Sequence, residues 1–200
     1  KIRRTLSEKD IAEIFRLAGD ASRKLDADFR VNYSRGPGQL LPYLAMESDL
    51  ARLICAKAYS DADAGNLEDA YEGLLAGLRI SNQLRHEPVV VAHLVRIACD
   101  STLISCLLDI AGRKGIDAAA AKAFIAELGC RSYYQSLPSV LDGERVSFGS
   151  GFYQAIIDGR RGRGGAFSKS IMMKNDYAVY LKLINDLKAL SRQPFCDLDK

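Results

Sequence analysis

The sequence predicts an all-α fold built from antiparallel helical hairpins, about seven helices and no sheet, and three observations predict it. Apolar residues recur at helical spacing along most of the chain, capping and stop residues punctuate those stretches, and no run alternates apolar and polar residues as a half-buried strand would.

The first helix is expected from Ser7, whose hydroxyl can cap the following amides, with Ile11, Ile14, Phe15, Ala18 and Leu25 on one stripe. A turn of Ser34, Arg35, Gly36, Pro37 and Gly38 follows. Pro42 suits the first turn of a second helix, where its missing N–H costs nothing, and Gly65 ends that helix. Asn66 is expected to cap a third helix, in which Leu67, Ala70, Tyr71, Leu74, Leu75 and Leu78 form the clearest amphipathic stripe of the chain.

Pro88 opens a fourth helix that is apolar nearly all round to Ala111, with His93, Arg96, Asp100 and Asp109 as its ionisable groups; it reads as the central helix on which the others pack. Asp117 caps an alanine-rich fifth helix ending near Gly129. A sixth is expected from about Pro138 through Gly143, Glu144 and Arg145 to Ile157. A closing helix is expected over 175–194, with Tyr177, Tyr180, Leu181, Ile184 and Leu187 on one face before Pro194.

Between them, residues 159–174 read as a flexible basic loop. Arg160, Arg161, Arg163, Lys169 and Lys174 are interleaved with glycines and no acid, so the segment carries +5 and leaves −2 on the rest of a chain whose net charge is +3.

The 200 residues are 48% hydrophobic and 26% charged with no tryptophan, which suits a single all-helical domain over 1–200. Such a chain buries about 70% of the surface its unfolded state exposes, so it folds without metal or disulfide, and no cofactor is expected. Stretches without charge, such as Val146 to Ile157, are far shorter than the roughly 20 apolar residues of a membrane-spanning helix. No spanning segment is therefore expected within the chain. Lys1 in place of an initiator methionine leaves room for a removed leader or anchor.

The 5 cysteines, Cys55, Cys99, Cys106, Cys130 and Cys196, show no Cys-x-x-Cys spacing. Cys99 and Cys106, seven residues apart on one helix, are roughly 10 Å apart and cannot bridge. They read as core thiols.

Residues 39–130 carry a repeat. Ala58, the Gly65-Asn66 turn, Ala70 and Leu74 fall where tetratricopeptide-type hairpins place close-contact residues, and a shift of fifty residues aligns Gly115 with Gly65, Ala120 with Ala70, Phe124 with Leu74 and Leu128 with Leu78. The fold expected is therefore a tetratricopeptide-like array or an irregular bundle.

Several short elements recur in order: Leu40-Leu41-Pro42-Tyr43-Leu44, Leu50-Ala51-Arg52-Leu53, Ala64-Gly65-Asn66, Glu87-Pro88-Val89-Val90, Leu94-Val95-Arg96, Leu141-Asp142-Gly143-Glu144-Arg145, and Tyr180-Leu181 to Arg192-Gln193-Pro194. In these the chain resembles a large bacterial family of all-helical, repeat-like proteins to which no reaction is assigned, over residues 40–150 and 177–194. The resemblance implies the fold and the helix order, and a membrane-anchored, extracytoplasmic setting. The glycine-arginine run after Gly159 departs from it.

Catalytic patterns find no support. His86, His93 and Asp100 are seven apart rather than at the i, i+3 or i+4 spacing of metal ligands, and Pro88 interrupts the stretch, so His93 reads as an interior histidine. No Glu-x-x-His pair suggests a di-iron bundle, and no Gly-x-Ser-x-Gly elbow suggests a serine nucleophile. Gly149-Ser150-Gly151 and Gly162-Arg163-Gly164 follow no strand, which argues against a nucleotide-binding turn.

Charged residues in apolar helices must be paired or lie in a wet groove. Arg52, Arg96, Glu144 and Arg145 are therefore expected to form a buried ion-pair network, with a pocket for an anionic ligand as the sharper alternative. Arg160, Arg161, Arg163 and Lys169 are the candidate contact for an anionic partner; one aromatic, Phe167, in the run disfavours nucleic acid. The function expected is a protein or peptide interaction module whose groove carries Tyr43, Tyr59 and Tyr71. A structural spacer of a membrane-anchored envelope protein is the alternative, and an enzyme or anion binder using Glu144 and Arg145 comes third.

Overall fold

A computed structural model describes residues 9–33, 40–131, 133, 136–147, 149 and 166–192, with 166–174 described by backbone. The elements are α1 (Lys9–Ser22), α2 (Pro42–Ala64), α3 (Leu67–Asn82), a 3-10 turn (Gln83–His86), α4 (Val90–Lys114), α5 (Ala118–Gly129), a helix α6 over 136–147, and α7 (Ala166–Leu190). No strand occurs among the described residues, so the fold is all-α. The chain divides into two compact units: Lys1–Phe29 with Pro42–Arg85 and Ala92–Ser132, and Arg30–Leu41 with His86–Val91 and Tyr133–Lys200.

In the first unit α3 is the hub. Its 16 residues pack against α1, α2 and α5. Gly77 sets how close the helices come: a Cβ there would sit 2.9 Å from Leu103 of α4 and 3.1 Å from Ile54 of α2. Ala70, Leu74 and Leu78 are fully buried, and Cys55, Leu103, Ile110 and Phe124 complete the same core. Helix α4 shares this core through Cys99, Leu103, Cys106, Leu107 and Ile110, but it is not buried all round as expected, because Val91, Leu94, Ile97 and Leu108 are exposed along its length. Of the helices described, α4 alone is long and apolar enough to cross a membrane, but it buries Arg96 and Asp100.

The turns follow local rules with one exception. Gly65 and Gly115 both take left-handed backbone, φ +89° and +82°, so the two helix ends fifty residues apart stop in the same way. Asp117 accepts from the Ala120 amide at 2.7 Å, as its position predicts. Asn66 does not cap through its side chain; its backbone carbonyl takes the Ala70 amide at 3.2 Å instead. Helix α1 stops at Ser22, short of Leu25, which is exposed. Gln83 donates to the carbonyls of Ala21 and Lys24 at 2.8 and 3.2 Å, and so satisfies the end of α1 from a distant part of the chain.

Buried cysteines Cys55, Cys99 and Cys106 are free thiols inside this core, as expected, and Cys130 is exposed. Tyr43 stacks on Phe29 with ring centroids 4.3 Å apart, Tyr59 lies under the Arg113 guanidinium at 5.4 Å, and buried Tyr71 donates to the Gly115 carbonyl at 2.5 Å. These three tyrosines thus make contacts within the fold, and none of them borders the groove across α1, α2 and α3.

In the second unit the Glu87-Pro88 and Gly143-Glu144 elements meet. Gly143 of α6 passes so close to Pro88 that a Cβ would lie 2.2 Å from the Pro88 carbonyl oxygen. One residue on, Glu144 accepts the Val90 amide at 2.9 Å, giving a partner to a donor that the first turn of a helix leaves unsatisfied. Tyr180 donates to the Glu144 carbonyl at 3.0 Å, Lys188 pairs with Asp142, and Tyr33 donates to Glu87.

Helix α7 begins at Ala166, nine residues before the expected Asn175. Gly165 is the last glycine of the basic run, and no glycine or proline follows it before the helix ends, so nothing there opposes helix. Lys169 accordingly lies on helical backbone and not in a loop. Arg160, Arg161 and Arg163 lie outside the described residues, as does Ser7.

Candidate functional site

Small residues leave a groove open across α1, α2 and α3. Ala18, Gly19 and Ser22 on α1, Ala58 on α2, and Gly73 and Ala76 on α3 border a space of about 520 Å³. Phe15, Ile54 and Leu75 supply larger apolar surface, and Lys57 rides over the Phe15 ring at 5.6 Å from its centroid. Six charged residues reach the groove: Arg23, Lys57, Asp61, Asp69, Glu72 and Arg79. Each base already has an acid, Arg23 with Asp20 at 2.5 Å, Lys57 with Asp61 at 2.5 Å, and Arg79 with Glu127 at 3.2 Å.

Arg79 is the outer end of a charge chain that runs inward. Glu127 also pairs with Arg131 at 3.0 Å, and Arg131 pairs with Asp100 at 2.7 Å, the side chains of that last pair being 1% and 2% exposed. Arg131 donates further to the Leu78 carbonyl, and the Ser81 hydroxyl donates to Asp100. Burial alone would lower the Arg131 pKa, but the carboxylates of Asp100 and Glu127 outweigh it and hold the guanidinium charged. This network of buried charges locks α3, α4 and the end of α5 in register.

The residues singled out by sequence distribute differently from the expected network. Arg52 is exposed and pairs with its helical neighbour Asp49 at 3.0 Å. Arg96 is buried and donates to Asn82 at 2.8 Å. Glu144 caps Val90, and Arg145 is 46% exposed, 3.7 Å from Asp142. Arg52 and Arg145 are thus solvated helix charges, because each finds an acid three residues back on its own helix. His93 is buried beside Arg96, and burial followed by that positive charge lowers its pKa. Asp100 is the acid of the buried pair with Arg131.

Sequence reasoning missed Arg131 and the groove acids. Asp100 in an apolar helix signals that a cation must answer it, but the cation paired with it is Arg131, 31 residues away beyond a turn, and not Arg96 on its own helix, which donates to Asn82.

A second acid is half-buried. Glu47 on α2 faces Leu50, Ile80, Ser81 and Cys99, and burial pushes its pKa from 4.5 up to about 7. Below the unfolded value both states bind the proton, so Glu47 has no effect on stability there. Between the two values the unfolded chain ionises first, so stability falls as pH rises, and the full penalty stands above about pH 7. The Glu47→Gln variant is expected to match wild type near pH 4 and exceed it by about 2 kcal/mol near pH 8. Urea unfolding at both pH values checks this, and an equal difference at the two would refute it.

Comparison with protein-family models, with curated proteins and with solved structures finds no match, so the functional reading rests on the groove and on the residues that border it.

Proposed function

We propose that this chain is a helical-hairpin interaction module and that the groove across α1, α2 and α3 receives a segment of a partner protein. The observation that supports it is the groove itself: an opening of about 520 Å³ bordered by apolar and charged side chains, with small residues from all three helices among them. Stacked helical hairpins of the tetratricopeptide kind use such concave surfaces to hold peptides. Nothing about the groove suits catalysis, because no histidine, cysteine or serine nucleophile with a base borders it.

A photo-crosslinking side chain at Glu72, on the groove, and another at Arg52, exposed on α2, test this in cells. A discrete crosslinked species is expected from position 72 and none from position 52. Equal labelling from both positions, or none from 72, would overturn the proposal in favour of a structural spacer.

A further inference from the structure

Building on that interaction reading, we infer that the groove selects a partner segment in which an aliphatic or aromatic side chain is flanked by lysine or arginine. The argument has a steric half and an electrostatic half, carried by different residues.

Gly19 on α1 and Gly73 on α3 both border the groove, and a Cβ built on either meets nothing within 4 Å. Neither is needed for packing, unlike Gly77 on the same helix, whose Cβ would press on Leu103. Both have ordinary helical backbone, so no turn explains them either. Glycine inside a helix is less stable than alanine. With no side chain at these two positions, the space beside them stays open. Phe15, Ile54 and Leu75 border the same space, which suits an apolar anchor.

The charges specify what flanks that anchor. Arg23, Lys57 and Arg79 are each neutralised by an acid of this chain. Asp69 and Glu72, one turn apart on α3 and both exposed, make no ion pair or side-chain hydrogen bond among the described residues. The uncompensated charge at the groove is therefore negative, and a basic segment complements it. An acidic segment would meet these two carboxylates with no free base to answer them.

The test uses the full chain against a phage-displayed library of random dodecapeptides, with selected peptides resynthesised and titrated by fluorescence anisotropy. Selected peptides are expected to place Lys or Arg beside an aliphatic or aromatic residue. They should lose at least about tenfold in affinity to Gly73→Trp, whose ring occupies the open slot, and about tenfold to Asp69→Lys and to Glu72→Lys, with binding weakening as salt rises. The last two variants change exposed helix positions, so they remain informative if the tryptophan variant unfolds. Selected peptides that depend on Gly73 but lack basic residues, or that ignore both charge reversals, would overturn the inference and leave the interaction module standing. A selection that yields no peptide sensitive to Gly73→Trp would overturn both.

Discussion

Replacing Arg131 with methionine is expected to destabilise the first unit by about 3–5 kcal/mol, the cost of leaving Asp100 charged and buried without its cation. The side chains of this pair are almost wholly excluded from water, so solvent cannot take over. The Leu78 carbonyl loses a donor at the same time, and Glu127 keeps Arg79 as its remaining partner. Asp100→Asn in the same background should restore part of the loss, because the amide needs no counter-charge. Urea unfolding of both single variants and the double variant measures this. A loss below about 1 kcal/mol for Arg131→Met, or strict additivity in the cycle, would show that the pair is not what holds α3, α4 and α5 together.

The second large effect is expected at Gly143. Its α-carbon faces Pro88 at a distance that leaves no room for a methyl group, and the obstacle is the Pro88 carbonyl together with its ring Cβ, neither of which can swing away. Gly143→Ala must therefore displace α6 from Pro88 and pull Glu144 off the Val90 amide. A loss of about 3 kcal/mol is expected, near the upper end of overpacking costs and against the small gain that alanine brings to a helix. Thermal and urea unfolding check it. If the variant were as stable as wild type, the close approach would not constrain the unit. Glu144→Gln separates the two contributions, since it keeps an acceptor for Val90 while removing charge and should cost less than about 1 kcal/mol.

These two sites show how far the residues could be read in advance. The Gly-Glu-Arg triplet stands out in the sequence as charge set inside an apolar helix, and the inference that charge there must be satisfied is correct physics. For Glu144 the partner is a backbone amide contributed by Val90, which no spacing rule finds. For Arg52 the inference fails because the helix turns that side chain to solvent beside Asp49. The tyrosines expected in a groove contact Phe29, Arg113 and the Gly115 carbonyl instead, while the small residues Gly19, Ser22, Gly73 and Ala76 that border the groove carry no sequence signal of their own.

What the sequence determined by itself is the local part: helices at α2 through α5 in their order, the helix stop at Gly65 and its counterpart at Gly115, the Asp117 cap, the buried thiols and the absence of strand pattern. Each depends on backbone preference or on apolar spacing within a few residues, and both are written in consecutive letters. Only the tertiary structure decided which helix is the hub, that Arg131 answers Asp100, that Gln83 closes α1, and that Gly19 and Gly73 face open space. Those outcomes join residues from separate helices, and they depend on the angle and depth at which the helices meet. Ridge-and-groove packing of whole helix faces sets that geometry, and no single residue encodes it.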